Sequence, residues 1–166
     1  KLNNIDLGNE IFSRTDKIRE KYKLMEERFP TSIENSNLIG NIYFANYGEW
    51  LGTVRDLYFH KLIPEYYRGL GRDGELICLN CDIDFLNEAM PFDMILVEMY
   101  LDAIYERGVK LNFEFYLVAD TKIKKLAFAT HTAAWIKWDD SSMPVVAPLP
   151  EAVKIALMKN VSQVLL

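Results

Sequence analysis

The feature that most constrains this chain is one long helical pattern. From Ala45 to Leu62 the apolar residues Tyr47, Trp50, Leu51, Val54, Leu57, Tyr58 and Leu62 recur at intervals of three and four. A stripe that wide has to be covered by another layer of structure. Pro64, Gly69, Gly71 and Gly74 then break the period, and the residues after Gly74 alternate. Ile77, Leu79, Cys81, Ile83 and Phe85 alternate with Cys78, Asn80, Asp82 and Asp84, which predicts a strand with one face on a core. Past a turn at Pro91 and Asp93, Ile95 to Ala103 and Val109 to Leu117 predict a hairpin closed at Glu106-Arg107-Gly108. A loop over 120–125 leads to a last long strand, Leu126 to Trp138. Tyr22 to Ile33 reads as a weaker strand upstream, and Pro150 to about Lys159 as a short terminal helix. The order is strand, long helix, then four strands in an antiparallel meander. One helix of this kind needs a sheet around it, so the class is α+β, a long central helix wrapped by a curved antiparallel sheet of about five strands.

Composition narrows the function. With 166 residues, 50% apolar and 26% charged, the chain suits one compact domain or the subunit of an oligomer. A net charge of −5 and no basic run argue against nucleic acid and anionic membranes as partners. No apolar stretch approaches the roughly 20 residues that span a bilayer, and no signal-peptide pattern opens the sequence, so a cytoplasmic protein is expected. Cys78 and Cys81 lie too close together to staple a secreted framework. Residues 1–21 read as a polar lead, either a short helix over Ile11 to Glu20 or an arm that docks on a neighbour, ahead of a single domain over 22–166.

Most candidate motifs lack a necessary part. Gly69, Gly71 and Gly74 match the letters of a dinucleotide fingerprint, but strand and helix flank them in the wrong order. Cys78 and Cys81 have redox spacing, yet on a regular strand their thiols point to opposite faces. Asp82 and Asp84 share a face without a third ligand, and His60 and His131 sit in no metal-binding spacing or nucleophile elbow. No cofactor or metal is expected.

The informative segment runs from Asn37 through Gly40, Asn41, Tyr43, Phe44, Ala45, Asn46, Tyr47 and Gly48 to Trp50. Gly40 suits a tight reversal, and Asn46 is the expected N-cap. The first helical amides, near Tyr47 and Gly48, are then offered to a bound carbonyl oxygen. With Val54 at the stripe's centre, Arg55 falls at its edge, while Glu49 and Asp56 fall on the far side.

Asn37-x-x-Gly40-Asn41 followed by Tyr43-Phe44-Ala45-Asn46-Tyr47 resembles the active-site segment of hot-dog fold acyl thioesterases, whose commoner form has Asp in place of Asn37 and His in place of Asn41. Asn at both positions, Arg55 in the helix and the Pro148 to Val153 tail most resemble the stand-alone thioesterases of enediyne polyketide biosynthesis. The resemblance covers roughly residues 22 to 160. It implies hydrolysis of an acyl thioester on an acyl carrier protein without a catalytic carboxylate, with roles for Asn37, Tyr47 and Arg55. Asn41, Tyr43, Phe44 and Tyr58 are candidate substrate contacts, and the aromatic residues Tyr43, Phe44, Tyr58, Phe113 and Phe115 either line an acyl tunnel or fill the core. A homodimer or homotetramer is implied as well. Docking an acidic carrier protein would need a basic patch, for which Lys61, Arg68, Arg72 and Lys110 are the candidates. An acyl-CoA thioesterase, an acyltransferase or dehydratase relative, and a non-catalytic acyl-binding protein are the alternatives.

Overall fold

The structure is a computed structural model that describes residues 5–13, 22–64, 74–119 and 122–164. In chain order it contains β1 (Glu10–Ser13), β2 (Tyr22–Pro30), a single 3-10 turn (Ile33–Asn35), α1 (Ala45–Leu62), β3 (Glu75–Phe85), β4 (Met94–Tyr105), β5 (Gly108–Ala119), β6 (Lys122–Trp138), β7 (Pro144–Val146) and α2 (Glu151–Val164). The helix limits are those its apolar spacing predicts. The sheet has seven strands rather than five, because β1 and β7 are short additions to β4 and β6. The lead contributes one of them: Glu10–Ser13 is a strand on β4 of the same chain, where a short helix or an arm docking on a neighbour was expected. Residues 14–21, which include the rest of that expected helix to Glu20, lie outside the described residues.

Connectivity differs from the expected meander. β4, β5 and β6 are consecutive neighbours, but β3 pairs with β6, and β2 pairs with β4. A meander would have set β3 beside β4 and left one flank of the helix bare. In the observed order the segment 86–93 carries the chain from the edge strand β3 past β6 and β5 to β4, and its residue Ala89 accepts a hydrogen bond from the Ile42 amide just ahead of the helix, at 2.9 Å. The crossover therefore passes the amino end of α1.

The core lies between α1 and the concave face. Tyr47, Trp50, Leu51, Val54, Tyr58 and Phe59 are buried on the helix, against Val97 and Met99 of β4 and Phe113 and Phe115 of β5. Large residues on β5 sit opposite small ones on β6, as in Phe113 with Ala129, Phe115 with Ala127 and Val109 with Ala133. This pairing lets large rings fill the concave face without crowding. α2 closes the remaining side through Val153, Leu157 and Val161, one residue per turn.

β3 holds a second departure. Its register slips between Cys78 and Asn80, so that Cys78 opposes Ala133 while Cys81 opposes His131. Leu79 is the extra residue of a bulge, and it restores the inward face after a break in phase. Leu76, Cys78, Cys81, Ile83 and Phe85 thus share the core-side face, and the two thiols lie on one face rather than on opposite ones. Both are free and exposed, because α1 does not extend over this edge strand.

Gly74 opens β3 at φ 133°, and a Cβ there would stand 2.4 Å from the Ile136 carbonyl oxygen and 2.6 Å from Trp135 Nε1. Gly69 and Gly71 lie outside the described residues. Gly74→Ala is expected to lower the unfolding free energy by about 1–3 kcal/mol, read as a reduced urea midpoint with an unchanged slope. An unaltered midpoint would refute this account of the turn.

Candidate active site

Short polar side chains build the approach to α1. The Thr31 amide and hydroxyl both donate to the Asp93 carbonyl, at 2.9 and 2.8 Å, which straps the end of β2 to the crossover. Asn37 Oδ1 accepts from the amides of Ile39 and Gly40 at 2.9 and 3.1 Å, and the Asn37 amide donates to the Asn41 carbonyl at 2.9 Å. Gly40 completes this reversal at φ 96°, a conformation that favours glycine.

Asn46 is not the N-cap. Phe44 holds that position, already with helical torsions and no side-chain cap. Asn46 therefore lies inside the first turn and reaches backwards: its Nδ2 donates to the carbonyls of Asn35 and Tyr43 at 2.8 and 2.9 Å, and its Oδ1 accepts from Asn35 Nδ2 at 3.1 Å. Its amide side chain fixes the chain leading into the helix, where a hydroxyl could make only part of the set.

A cavity of about 330 Å³ opens at this end of the helix. Asn37, Asn41, Ile42, Phe44 and Tyr47 form one wall, and Phe85 at the end of β3 with crossover residues 86–89 forms the other. Asn41 Nδ2 donates to Glu88 Oε1 across it at 3.1 Å. The Tyr47 ring packs on Trp50, Phe85 and Phe115. Burial, and secondarily the Asp93 charge, push its hydroxyl up to about 12, so it remains a proton donor at neutral pH. The Tyr47 amide donates to the Phe44 carbonyl at 3.2 Å, a long bond for which an incoming carbonyl can compete. Beside it Gly48 leaves open space where a side chain would stand.

The other candidates lie elsewhere. Arg55 is buried, two turns and about 12 Å along the helix axis from Tyr47. Its Nε and Nη2 bond Asp56 Oδ1 at 2.9 and 2.8 Å, and its Nη1 meets His131 Nε2 at 3.3 Å. Its positive charge also reaches both thiols of β3. Tyr58 is buried against Phe59, farther still from the cavity. Tyr43 is half exposed with its ring against that of Phe44, while Phe113 lies in the core, as does Phe115 behind Tyr47. Neither Glu49 nor Asp56 is among the residues that line the cavity, so no helix carboxylate enters it. Lys61 is at the opposite end of α1, Lys110 pairs with Asp102 at 3.1 Å, and Arg68 and Arg72 lie outside the described residues. Asp82 accepts from Asn80, and no group of three or more metal-ligating side chains occurs among the described residues. No helix there is long and apolar enough to cross a membrane.

Sequence reasoning missed the crossover wall, Phe85, Leu86, Asn87 and Glu88. These residues face the cavity only because β3 joins β6, a pairing that leaves no local signature in the chain.

His131 is buried, and the loss of hydration, reinforced by Arg55, lowers its pKa to about 4. Arginine only donates, so His131 Nε2 is the acceptor and the ring is neutral with its proton on Nδ1. Between pH 6.5 and 4 the unfolded state then binds more protons, and stability falls as the pH is lowered through that window. The contribution is about 3 kcal/mol at pH 4. In urea titrations His131→Gln should flatten this part of the wild-type pH profile, and an equally steep profile in the variant would contradict the assignment.

A sequence model of the thioesterase-like superfamily matches residues 32–157. No curated protein sequence matches the chain. Among solved structures, the dynemicin thioesterase, described with bound polyene, is 27% identical at a TM-score of 0.73, the match covering 83% of this chain and 96% of that one. The 4-hydroxybenzoyl-CoA thioesterase of Pseudomonas sp. strain CBS-3 superposes at 0.70 with 15% identity, over 80% and 97% of the two chains. A DHNA-CoA thioesterase from Staphylococcus aureus does so at 0.67 with 14% identity, over 83% and 90%. At such low identity these last two speak for the fold alone. The curved sheet around one helix is the hot-dog fold, and the chain belongs to the thioesterase-like superfamily.

Proposed function

We propose that this protein is a thioesterase that releases a polyketide chain from the phosphopantetheine arm of an acyl carrier protein. The observation that carries the reading is the cavity at the amino end of α1, walled by Asn37, Asn41, Phe44 and Tyr47. The likeness to the dynemicin thioesterase supports a polyketide over a simple acyl-CoA, since the CoA thioesterases it resembles share only the fold.

In this reading the thioester carbonyl enters beside the amides of Tyr47 and Gly48, where the partial positive charge of the helix end favours the developing oxyanion. The side-chain amide of Asn37 orients the carbonyl. The acyl chain runs along the uncovered inward face of β3, past Phe85 towards Cys81 and Cys78, and Arg55 at the far end receives a polar or anionic group on that chain.

The test is a panel of carrier-protein and CoA thioesters, with products identified by mass. Free acid, or the ketone left by its decarboxylation, should appear faster from the carrier protein than from CoA for the same acyl group. Equal or faster CoA turnover would favour the acyl-CoA thioesterase. A transferred or unsaturated product would favour the acyltransferase or dehydratase relative, and binding without turnover an acyl-binding module. Asn37→Asp keeps the acceptor that holds the 37–40 turn but removes the N–H donor, and should cost about 10²-fold in kcat. Arg55→Gln should act on chains with a distal polar group and spare simple ones. If neither substitution alters hydrolysis in a folded protein, the roles assigned to these residues are wrong.

The proposal includes a homodimer or homotetramer. It is supported by β3, a strand of 11 residues that stands last in the order of the sheet, beside β6. Sedimentation of the full chain should give two or four copies, and a monomer at micromolar concentration would reject this part.

A further inference from the structure

The resemblance implies a thioesterase that works without a catalytic carboxylate, and the helix supplies none: neither Glu49 nor Asp56 lines the cavity. The crossover does supply one. Glu88 lines the cavity together with Asn37, Asn41 and Tyr47. Its position is set by two bonds between the same short segments. The Ile42 amide donates to the Ala89 carbonyl at 2.9 Å, and Asn41 Nδ2 donates to Glu88 Oε1 at 3.1 Å. The first fixes the backbone next to Glu88, and the second aims the carboxylate. The amide of Asn41 cannot be reversed, since that would set its oxygen against a carboxylate oxygen.

The other end of the same amide adds an independent observation. Asn41 Oδ1 is buried and accepts from no group among the described residues. A buried acceptor left in this way is costly, about 1–3 kcal/mol, and calls for a donor. Asn41 Oδ1 and the Glu88 carboxylate are thus two acceptors among the residues that line the cavity, one on each wall. The small molecule that satisfies two such acceptors with its own two O–H bonds is water, which is also the nucleophile of a thioester hydrolase.

Resting on the reading of this protein as a thioesterase, we propose that Glu88 is the general base that activates the hydrolytic water and that Asn41 positions both. The water oxygen forms a bond to the thioester carbonyl carbon while one of its protons passes to Glu88. The tetrahedral intermediate collapses, the C–S bond breaks, and the departing sulfur takes the proton from Glu88. The products are one carboxylic acid and one thiol, and Glu88 returns to its starting charge. Asn41 is a positioning residue: it acts through Glu88 and the water and forms no bond in the reaction.

The test uses the full chain with the thioester that the wild-type protein turns over fastest. Glu88→Gln keeps size and hydrogen bonding but cannot take a proton. Its kcat is expected to fall by 10²-fold or more, with KM within about threefold, and the ionisation on the acid limb of the wild-type kcat/KM profile should vanish. Formate should restore part of the rate to Glu88→Ala. Asn41→Asp, which faces Glu88 with a like charge, should move that acid limb to higher pH, a displacement that a purely structural role would not produce. Glu49→Gln should behave as wild type. If Glu88→Gln keeps its rate and pH profile while the wild-type protein hydrolyses thioesters, the general base is refuted and the thioesterase reading stands. If the wild-type protein hydrolyses no thioester, both fall together.

Discussion

A single helix with apolar residues around half its circumference cannot be covered by a flat sheet, and nearly every feature of this protein derives from that constraint. Burying Tyr47, Trp50, Leu51, Val54, Tyr58 and Phe59 stabilises the fold by roughly 1.5–3 kcal/mol per side chain, but only if strands reach both flanks of the helix. The sheet curves, β2 takes one edge and β3 the other, and the chain has to cross from β3 to β4 over residues 86–93. That crossing meets the amino end of α1. The same requirement that completes the core therefore brings a second wall to the place where helix amides are least satisfied, and a cavity forms there.

Side-chain amides keep this region in order. Asn35, Asn37, Asn41 and Asn46 each bond a backbone group or another side chain in the segment between β2 and α1 or in the crossover. An amide both donates and accepts, so a few residues can satisfy many backbone groups without bringing charge into the site. The charges sit at two separate points: Glu88 in the cavity wall, and Arg55 two turns deeper, held by Asp56 and facing a neutral His131. Such a division suits an acyl substrate with its reactive carbonyl at one end and a polar group along its chain.

Much of the fold is legible in the sequence because hydrophobic period is a local property. The limits of α1, the β4–β5 hairpin and the start of the terminal helix come from spacing alone, although that helix runs to Val164, past the expected end near Lys159. The errors share a cause as well. Cys78 and Cys81 are placed on opposite faces by strict alternation, but the bulge at Leu79 shifts the phase within a strand whose residue types barely change. Asn46 has the chemistry of an N-cap, yet the cap lies two residues earlier because Phe44 already has helical torsions.

By itself the sequence determined that one amphipathic helix is enclosed by antiparallel strands, and that a turn rich in asparagine precedes it, since both rest on residue types at fixed short separations. Which strand lies beside which, and hence that Glu88 stands across the cavity from Tyr47 while Arg55 does not, was decided only by tertiary structure. Strand neighbours are chosen by the curvature needed to cover the helix, a balance over the whole sheet that no local stretch of chain encodes.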